Sequence, residues 1–440
     1  MELEDIGRRI DQKTAQLAVI GLGYVGLPVA CEFARAGFTV LGVDVRADRV
    51  AQINAGRLPM EGKEPGLAEL LAQVVESGRL RAAVEYGELA DCDVVLIAVE
   101  TPVDENHRPQ YAALRTALAN LGPVLRPGAL VVIESTIAPG TMQGLVRPAL
   151  EAATGRPVNQ GFFLGNCPER VMPGRLLANI RQMNRVVGGW TPATAQIMVR
   201  LYRQVVSGDL DPTDCLTAEL VKTAENAYRD VQIAFANEVA LLCESMGGDV
   251  WQVRDLVNKS PGRQMHLPGA GVGGHCIPKD PWLLIANAGE GFAPRLIPAA
   301  RAVNDGMPLH VADLVVDALR ERGKGIAGAR ALVLGYTYLE NSDDTRNSPS
   351  ADLVQRLAQL GADVRVHDPY VEEYQRDLYA RAAGCDALVL MVRHGEYQGL
   401  DLARLQGLVA TPILVDGRNA LDPEQVRAAG WVYRGVGRGA

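Results

Sequence analysis

The stretch QLAVIGLGYVGLPVACEFARAGFTVLGVDV, from Gln16 to Val45, constrains the fold more than any other. Gln16–Ile20 is an apolar run of strand length. Gly21, Gly23 and Gly26 follow in G-x-G-x-x-G spacing, Leu27–Ala36 has helical periodicity and stops at Gly37, and Phe38–Val43 is a second strand ending at Asp44. Strand, glycine turn, helix and parallel strand make a βαβ unit. Its glycines stand where a dinucleotide pyrophosphate needs close backbone approach at a helix N-terminus. The alternative is a tight turn with no ligand, and the acid closing the second strand argues against it. Asp44 is placed to accept hydrogen bonds from the adenosine ribose and would repel a 2′-phosphate, which favours NAD over NADP; Arg46 weakens that preference. Tyr24, Val25 and Arg49 complete the candidate cofactor contacts of this unit.

The α/β alternation continues. Asp93–Pro102 (DVVLIAVETP) and Ala129–Thr141 (ALVVIESTIAPGT) read as strands running into Thr101 and Ser135-Thr136. Loops at strand ends line the crevice at the carboxyl edge of a parallel sheet, so Thr101 and Thr136 are cofactor candidates; helix capping is the alternative. Gly165–Arg175 (GNCPERVMPGR) places Glu169 in a proline-flanked loop. Glu219–Gly248 reads as one long helix stopping at Gly247-Gly248, with Lys222, Asn226, Asp230 and Asn237 on one stripe. That stripe is either solvent-exposed or lines a polar active site. After a further helix ending near Gly323, Ala329–Val371 starts a second βαβ unit, with a helix stopping at Gly361 and a strand ending at Asp368; Ala387–Val392 and Ile413–Asn419 add strands. The expected architecture is two Rossmann-like doubly wound α/β domains joined by a long central helix. We divide it as 1–212, an NAD-binding domain; 213–310, a central helical segment; and 311–440, a second Rossmann-like domain.

A chain of 440 residues exceeds one ordinary core. A net charge of −8 and the absence of a basic tract give no reason to expect nucleic acid as partner. No apolar run reaches membrane-spanning length, and the charged N-terminus lacks a signal-peptide core. Seven widely spaced cysteines with no C-x-x-C, and six histidines in no metal-binding pattern, predict neither a disulfide framework nor a metal site. A reduced, cytoplasmic setting follows.

Any cysteine is then free to act, and GAGVGGHCIPKDPW (Gly269–Trp282) draws attention to Cys276. A free cysteine is most often a small buried apolar residue. In a glycine-rich loop beside a bound NAD it could instead attack an aldehyde, lose hydride as a thiohemiacetal and leave a thioester for water to hydrolyse. Such a cysteine needs a depressed pKa, which the nearby Lys222 cation would favour.

The ordered motifs IGLGYVGLP, STIAPGT, PERVMPG, AELVKTAENAYRDVQIAFANE, GVGGHCIPKDP, DDTRNSP, HDPYV and VDGRNAL cover nearly the whole chain. Together they resemble the UDP-glucose/GDP-mannose dehydrogenase family, whose UDP-sugar 6-dehydrogenases oxidise a primary alcohol to a carboxylate with two NAD reduced. The resemblance implies Cys276 as nucleophile, Lys222 and Asp280 relaying the 6-hydroxyl proton through water and holding the oxyanion, and Asn226 orienting the sugar. It implies Glu169 activating water for hydrolysis, with Thr136 nearby. Arg346 would touch the cofactor phosphates and Arg418 the substrate pyrophosphate. Further substrate candidates are Arg170, Val171, Arg229, Gly269, Gly271 and Gly273. Arg263, three residues off the family's usual offset, is the candidate for a charge lent by a partner subunit. A homodimer through the central helix is expected. CIPKDPWLL and NKSPGRQMHLPGAG are similar to the branch acting on UDP-N-acetyl-D-mannosamine; UDP-N-acetyl-D-glucosamine is the runner-up and UDP-glucose third. One departure stands out: the family usually carries a substrate-gripping lysine after the aromatic in GYTYLEN, where this chain has Leu339 and Glu340. A single-step β-hydroxyacid dehydrogenase would need neither Cys276 nor the second Rossmann-like domain. A non-catalytic nucleotide-sugar sensor finds support only in the missing lysine.

Overall fold

The computed structural model describes residues 2–60 and 64–439. The chain divides into two compact units, one of Met1–Glu225 with Trp282–Phe292 and one of Asn226–Pro281 with Ala293–Ala440. Each is built on its own sheet.

The first sheet comprises β1 (Gln16–Ile20), β2 (Thr39–Val43), β3 (Leu80–Ala83), β4 (Val94–Ile97), β5 (Leu130–Ile133), β6 (Phe163–Asn166), β7 (Arg185–Gly189) and β8 (Leu210–Asp214). Their order is β3-β2-β1-β4-β5-β6-β7-β8, parallel throughout except for the antiparallel pair β6–β7. Why these segments are strands is visible in their alternation. Leu17, Val19, Val94, Leu96, Leu130 and Val132 enter one buried cluster, while Ala18, Ile20, Val95, Ile97, Val131 and Ile133 enter another. Period-two side chains thus feed two cores on opposite faces, as a sheet covered by helices on both sides requires. Each buried Leu, Ile or Val contributes about 1.5–3 kcal/mol. Pro212 lies in β8, at the sheet edge, where a missing N–H costs no ladder bond.

The register sets the site. Ile20 pairs with Val43 and Ile97, Ile97 with Ile133, and Ile133 with Asn166. The strands therefore end in line, and Gly21, Asp44, Ala98, Glu134 and Cys167 begin the loops of one carboxyl edge.

The second sheet has β9 (Arg330–Leu334), β10 (Asp363–His367), β11 (Ala387–Leu390), β12 (Ile413–Asp416) and β13 (Val432–Gly435), all parallel, in the order β10-β9-β11-β12-β13. The same alternation recurs: Ala331, Val333, Val389 and Val415 face one cluster, and Leu332, Leu334, Leu388 and Leu414 the other.

After β8 the chain enters a long helix that spans Cys215–Met246, 32 residues. It begins four residues before the expected Glu219. It stops where Gly247 turns to φ +75° and the Gly248 N–H reaches back to the Cys243 carbonyl at 2.7 Å, a Schellman closure.

Candidate active site

In the first unit the three motif glycines do different jobs. Gly21 has φ +89°, and a Cβ there would lie 2.5 Å from the Ala98 carbonyl oxygen. A Cβ on Gly26 would lie 1.9 Å from the Gly21 oxygen, so this glycine lets the helix Gly26–Arg35 press on the turn. Above Gly23 there is open space, with no heavy atom within 4 Å of a Cβ. A cradle that packing does not need, at a helix N-terminus, suits a pyrophosphate. Val25 caps that helix, and the Tyr24 hydroxyl donates to Glu64 Oε1 at 2.5 Å.

Asp44 is buried. Its Oδ2 accepts from the Leu22 N–H and Arg49 Nη1, both at 2.9 Å, and its Oδ1 from the Arg46 N–H at 3.0 Å. A carboxylate has about four acceptor positions, so Oδ1 retains capacity for a ribose hydroxyl. The Arg46 guanidinium pairs with exposed Asp48, which takes it out of the argument against NAD. Arg49 is the cation that compensates Asp44. Thr101 and Thr136 are brought together: Thr101 Oγ1 donates to the Thr136 carbonyl at 2.6 Å. These residues fit NAD.

On the same edge Glu169 is buried and touches Arg185 Nη2 at 2.5 Å, while its Oε1 accepts from the Arg170 N–H at 2.8 Å. Neither Arg185 nor its second acid, Glu134, was singled out from sequence. The signal was present in VVIES, where an acid closes an otherwise apolar strand. The Arg170 side chain is engaged with the Asn184 carbonyl and Glu225, and Val171 packs on the core.

In the second unit the cysteine turn is held from several sides. The Cys276 carbonyl accepts from the Lys279 and Asp280 N–H groups, coiling CIPKD into a helical turn that leads into Asp280–Ile285. Asp280 is buried, its Oδ2 takes 2.5 Å from Asn226 Nδ2, and Lys279 Nζ stands 3.5 Å from its Oδ1. Six of the seven cysteines are buried; Cys276 is exposed. His275 beside it is held below the usual histidine range by burial and then by Lys279 and Arg346, so it is neutral at pH 7. Lys222, which belongs to the first unit, is buried.

The glycines before Cys276 are packed, not free. A Cβ on Gly273 would meet Tyr338 at 2.5 Å, and Gly274, with φ +91°, lies against the same ring. The Gly274 N–H donates to the Arg346 carbonyl, and Asn347 Nδ2 donates to the Gly274 carbonyl. The Arg346 side chain itself grips Asp344. Arg418 donates to the Gly271 carbonyl at 3.1 Å and the Met391 carbonyl at 2.9 Å. Desolvation pushes its pKa down to about 10 against the pull of Glu340 and Asp416.

Of the polar stripe of the long helix, Lys222, Asp230 and Asn237 are buried and Asn226 is half-buried. Asn237 Oδ1 accepts the Gly269 N–H at 2.9 Å and its Nδ2 donates to Asn304; Asn304 donates to Asp230, which also holds Arg301 at 2.6 Å. Half of the stripe is thus a scaffold for the glycine loop. Arg229 and Arg263 are exposed, and Arg263 donates to the Pro261 carbonyl.

Three family models cover the chain: the NAD binding domain of the UDP-glucose/GDP-mannose dehydrogenase family over residues 15–206, its central domain over 216–306 and its UDP binding domain over 332–423. The chain belongs to this family. It is an NAD-dependent nucleotide-sugar dehydrogenase. Among its relatives, the UDP-N-acetyl-D-mannosamine dehydrogenase of Pyrococcus horikoshii is 38% identical over 96% of this chain and 99% of its own. The solved structure of UDP-D-ManNAc dehydrogenase from that organism superposes with a TM-score of 0.91, again over 96% and 99% of the two chains. The NDP-N-acetyl-D-galactosaminuronic acid dehydrogenase of Methanosarcina mazei gives 0.88 at 37% identity, over 100% of this chain and 98% of that one.

Proposed function

We propose that the chain oxidises C6 of UDP-N-acetyl-D-mannosamine from primary alcohol to carboxylate, reducing two NAD per sugar. One observation carries the reading: the sole exposed thiol of seven sits on a turn whose buried Asp280 is fastened to Asn226. NAD, when bound, takes up the hydride of each oxidation. Asp280 and Lys222 pass the 6-hydroxyl proton out through water. Cys276 Sγ holds C6 covalently, first as thiohemiacetal and then as thioester, and Asn226 orients the sugar oxygen. Glu169 takes a proton from the hydrolytic water, with Thr136 on the cofactor side. Arg346 serves the cofactor phosphates and Arg418 the substrate pyrophosphate, with the Gly269–Gly273 backbone alongside. The functional division is 1–212, 213–310 and 311–440.

The sugar rests on the relatives' names. Those in Pyrococcus horikoshii and Methanocaldococcus jannaschii act on UDP-N-acetyl-D-mannosamine; a galactosaminuronic acid dehydrogenase of similar likeness makes the galacto sugar the second reading. We further propose a homodimer through the long helix, because exposed Tyr228, Phe235, Leu242 and Met246 recur on one of its faces at near-heptad spacing. Arg263, beside Phe235 and His266, is our candidate for the charge lent across it. That none of the seven cysteines is joined in a disulfide supports a reducing, cytoplasmic setting.

The test is NADH yield from limiting UDP-N-acetyl-D-mannosamine, with the N-acetylglucosamine, N-acetylgalactosamine and glucose analogues in parallel. Two NADH from the first alone supports the assignment; turnover of another sugar alone reassigns the substrate. Cys276→Ser is expected to abolish acid formation while still binding UDP-sugar, and unchanged acid output would sink the covalent route.

A further inference from the structure

Glu134 lies immediately after β5 and is wholly buried. Its Oε1 accepts from the Tyr202 hydroxyl at 2.5 Å. Its Oε2 stands 3.8 Å from Arg185 Nη1 and has no hydrogen-bond partner among the described residues. The other guanidinium nitrogen, Nη2, meets Glu169 Oε2 at 2.5 Å. Arg185 also lies 5.2 Å from the centre of the Tyr202 ring, and the Glu169 N–H donates to the Glu134 carbonyl. One buried cation is therefore flanked by two buried carboxyls, a tight one and a loose one.

The charge count has a consequence. With both carboxyls ionised the trio carries a net charge of −1, and one proton makes it neutral. Without Glu134, the Glu169–Arg185 pair is neutral already, and a proton on Glu169 would leave a buried cation uncompensated, which is strongly unfavourable. Resting on the function proposed above, we infer that Glu134, Arg185 and Glu169 form one proton-accepting unit, in which Glu134 is the positioning residue whose charge lets the trio hold the proton that Glu169 takes from the water attacking the thioester. In that step the water oxygen bonds to C6 and one of its protons goes to Glu169. The C6–S bond breaks and Cys276 leaves as thiolate; the second water proton departs with the product acid.

The remaining titratable groups facing the trio stay neutral. Burial pushes the Cys167 thiol up to about 12 and the Tyr202 hydroxyl well above its usual range. Burial likewise raises Glu134 to about 7, against the pull of Arg185 and with a further push from Glu169. The proton in question belongs to the two carboxyls together.

The inference is tested on the full-length enzyme by following NADH in single- and multiple-turnover reactions from pH 5.5 to 9. Glu134→Gln is nearly isosteric. It is expected to keep a burst of two NADH per active site, to slow the following steady phase about tenfold or more, and to move the acidic limb of the profile to lower pH. Tyr202→Phe deletes the hydrogen bond that stabilises ionised Glu134, and the same limb should move to higher pH. These opposite displacements are not what two merely structural lesions would give, and Tyr202→Phe stands as the test if Glu134→Gln misfolds. A folded Glu134→Gln enzyme with the wild-type limb and steady rate, or both limbs moving the same way, overturns the inference alone. Wild-type enzyme yielding no two-NADH stoichiometry with any of the sugars overturns the function on which it rests.

Discussion

Replacing the motif glycines one at a time separates cofactor binding from folding. A Cβ on Gly23 meets nothing within 4 Å, and its φ is not in the left-handed region, so Gly23→Ala has no steric cost in the folded protein. Restricting the unfolded chain should stabilise it by about 0.4–1 kcal/mol. The same methyl would stand in the space assigned to the pyrophosphate, where backbone must approach the ligand closely. Losing even one such contact costs about 1.4 kcal/mol, a tenfold rise in the NAD Kd. Gly26→Ala inverts the pattern. Its Cβ would lie 1.9 Å from the Gly21 oxygen, so helix and turn must part. Overpacking of that kind costs about 1–3 kcal/mol. Thermal unfolding with and without NAD, alongside calorimetric NAD titration, reads both quantities. If Gly23→Ala binds NAD as tightly as wild type, the space above Gly23 is not the phosphate cradle. If Gly26→Ala melts unchanged, the close packing of the turn has been overvalued.

Two further outcomes follow from the second unit. Asn237→Ala strips the buried Gly269 N–H and Asn304 Oδ1 of their partners; at about 1–3 kcal/mol for each orphaned group it should lower the urea midpoint of that unit and reduce turnover. Glu340→Lys exchanges the anion near Arg418 for a cation, so KM for the UDP-sugar should fall several-fold at low salt and less at high salt; a salt-independent KM would refute an electrostatic role.

How much of this was readable beforehand depended on where each residue's partners lie. The strands β1, β2, β4 and β5 of the first sheet and β9 to β12 of the second were legible because their apolar runs are short, bounded by Gly or Asp, and need nothing distant to define them; β3, β6, β7, β8 and β13, which lack such a bounded apolar run, were not. The glycine turn and Asp44 were legible for the same reason, as was the Cys276 motif. The stripe Lys222, Asn226, Asp230 and Asn237 was visible as a pattern, yet its meaning was not: Arg301 and Asn304 sit some 70 residues downstream, and only the packed helices bring them to Asp230 and Asn237. The antiparallel entry of β7 was likewise unreadable, since a short strand carries no sign of its direction. Arg185 is the costliest omission. An arginine opening a strand looks like a solvated edge residue, and only the register of β5, β6 and β7 shows that two acids surround it.

The distribution of the cysteines has a practical side. Burial lifts Cys31, Cys92, Cys167 and Cys215 to about 12, and raises Cys243 and Cys385 as well, leaving these thiols protonated and shielded from water. Electrophiles such as maleimides or iodoacetamides react with thiolates, and Cys276 is the exposed sulfur of the set. The native chain is thereby its own single-site labelling scaffold. A fluorophore or a spin probe can be placed at the proposed nucleophile with no cysteine removed, and if saturating UDP-sugar covers that sulfur as proposed, protection from alkylation would report its occupancy.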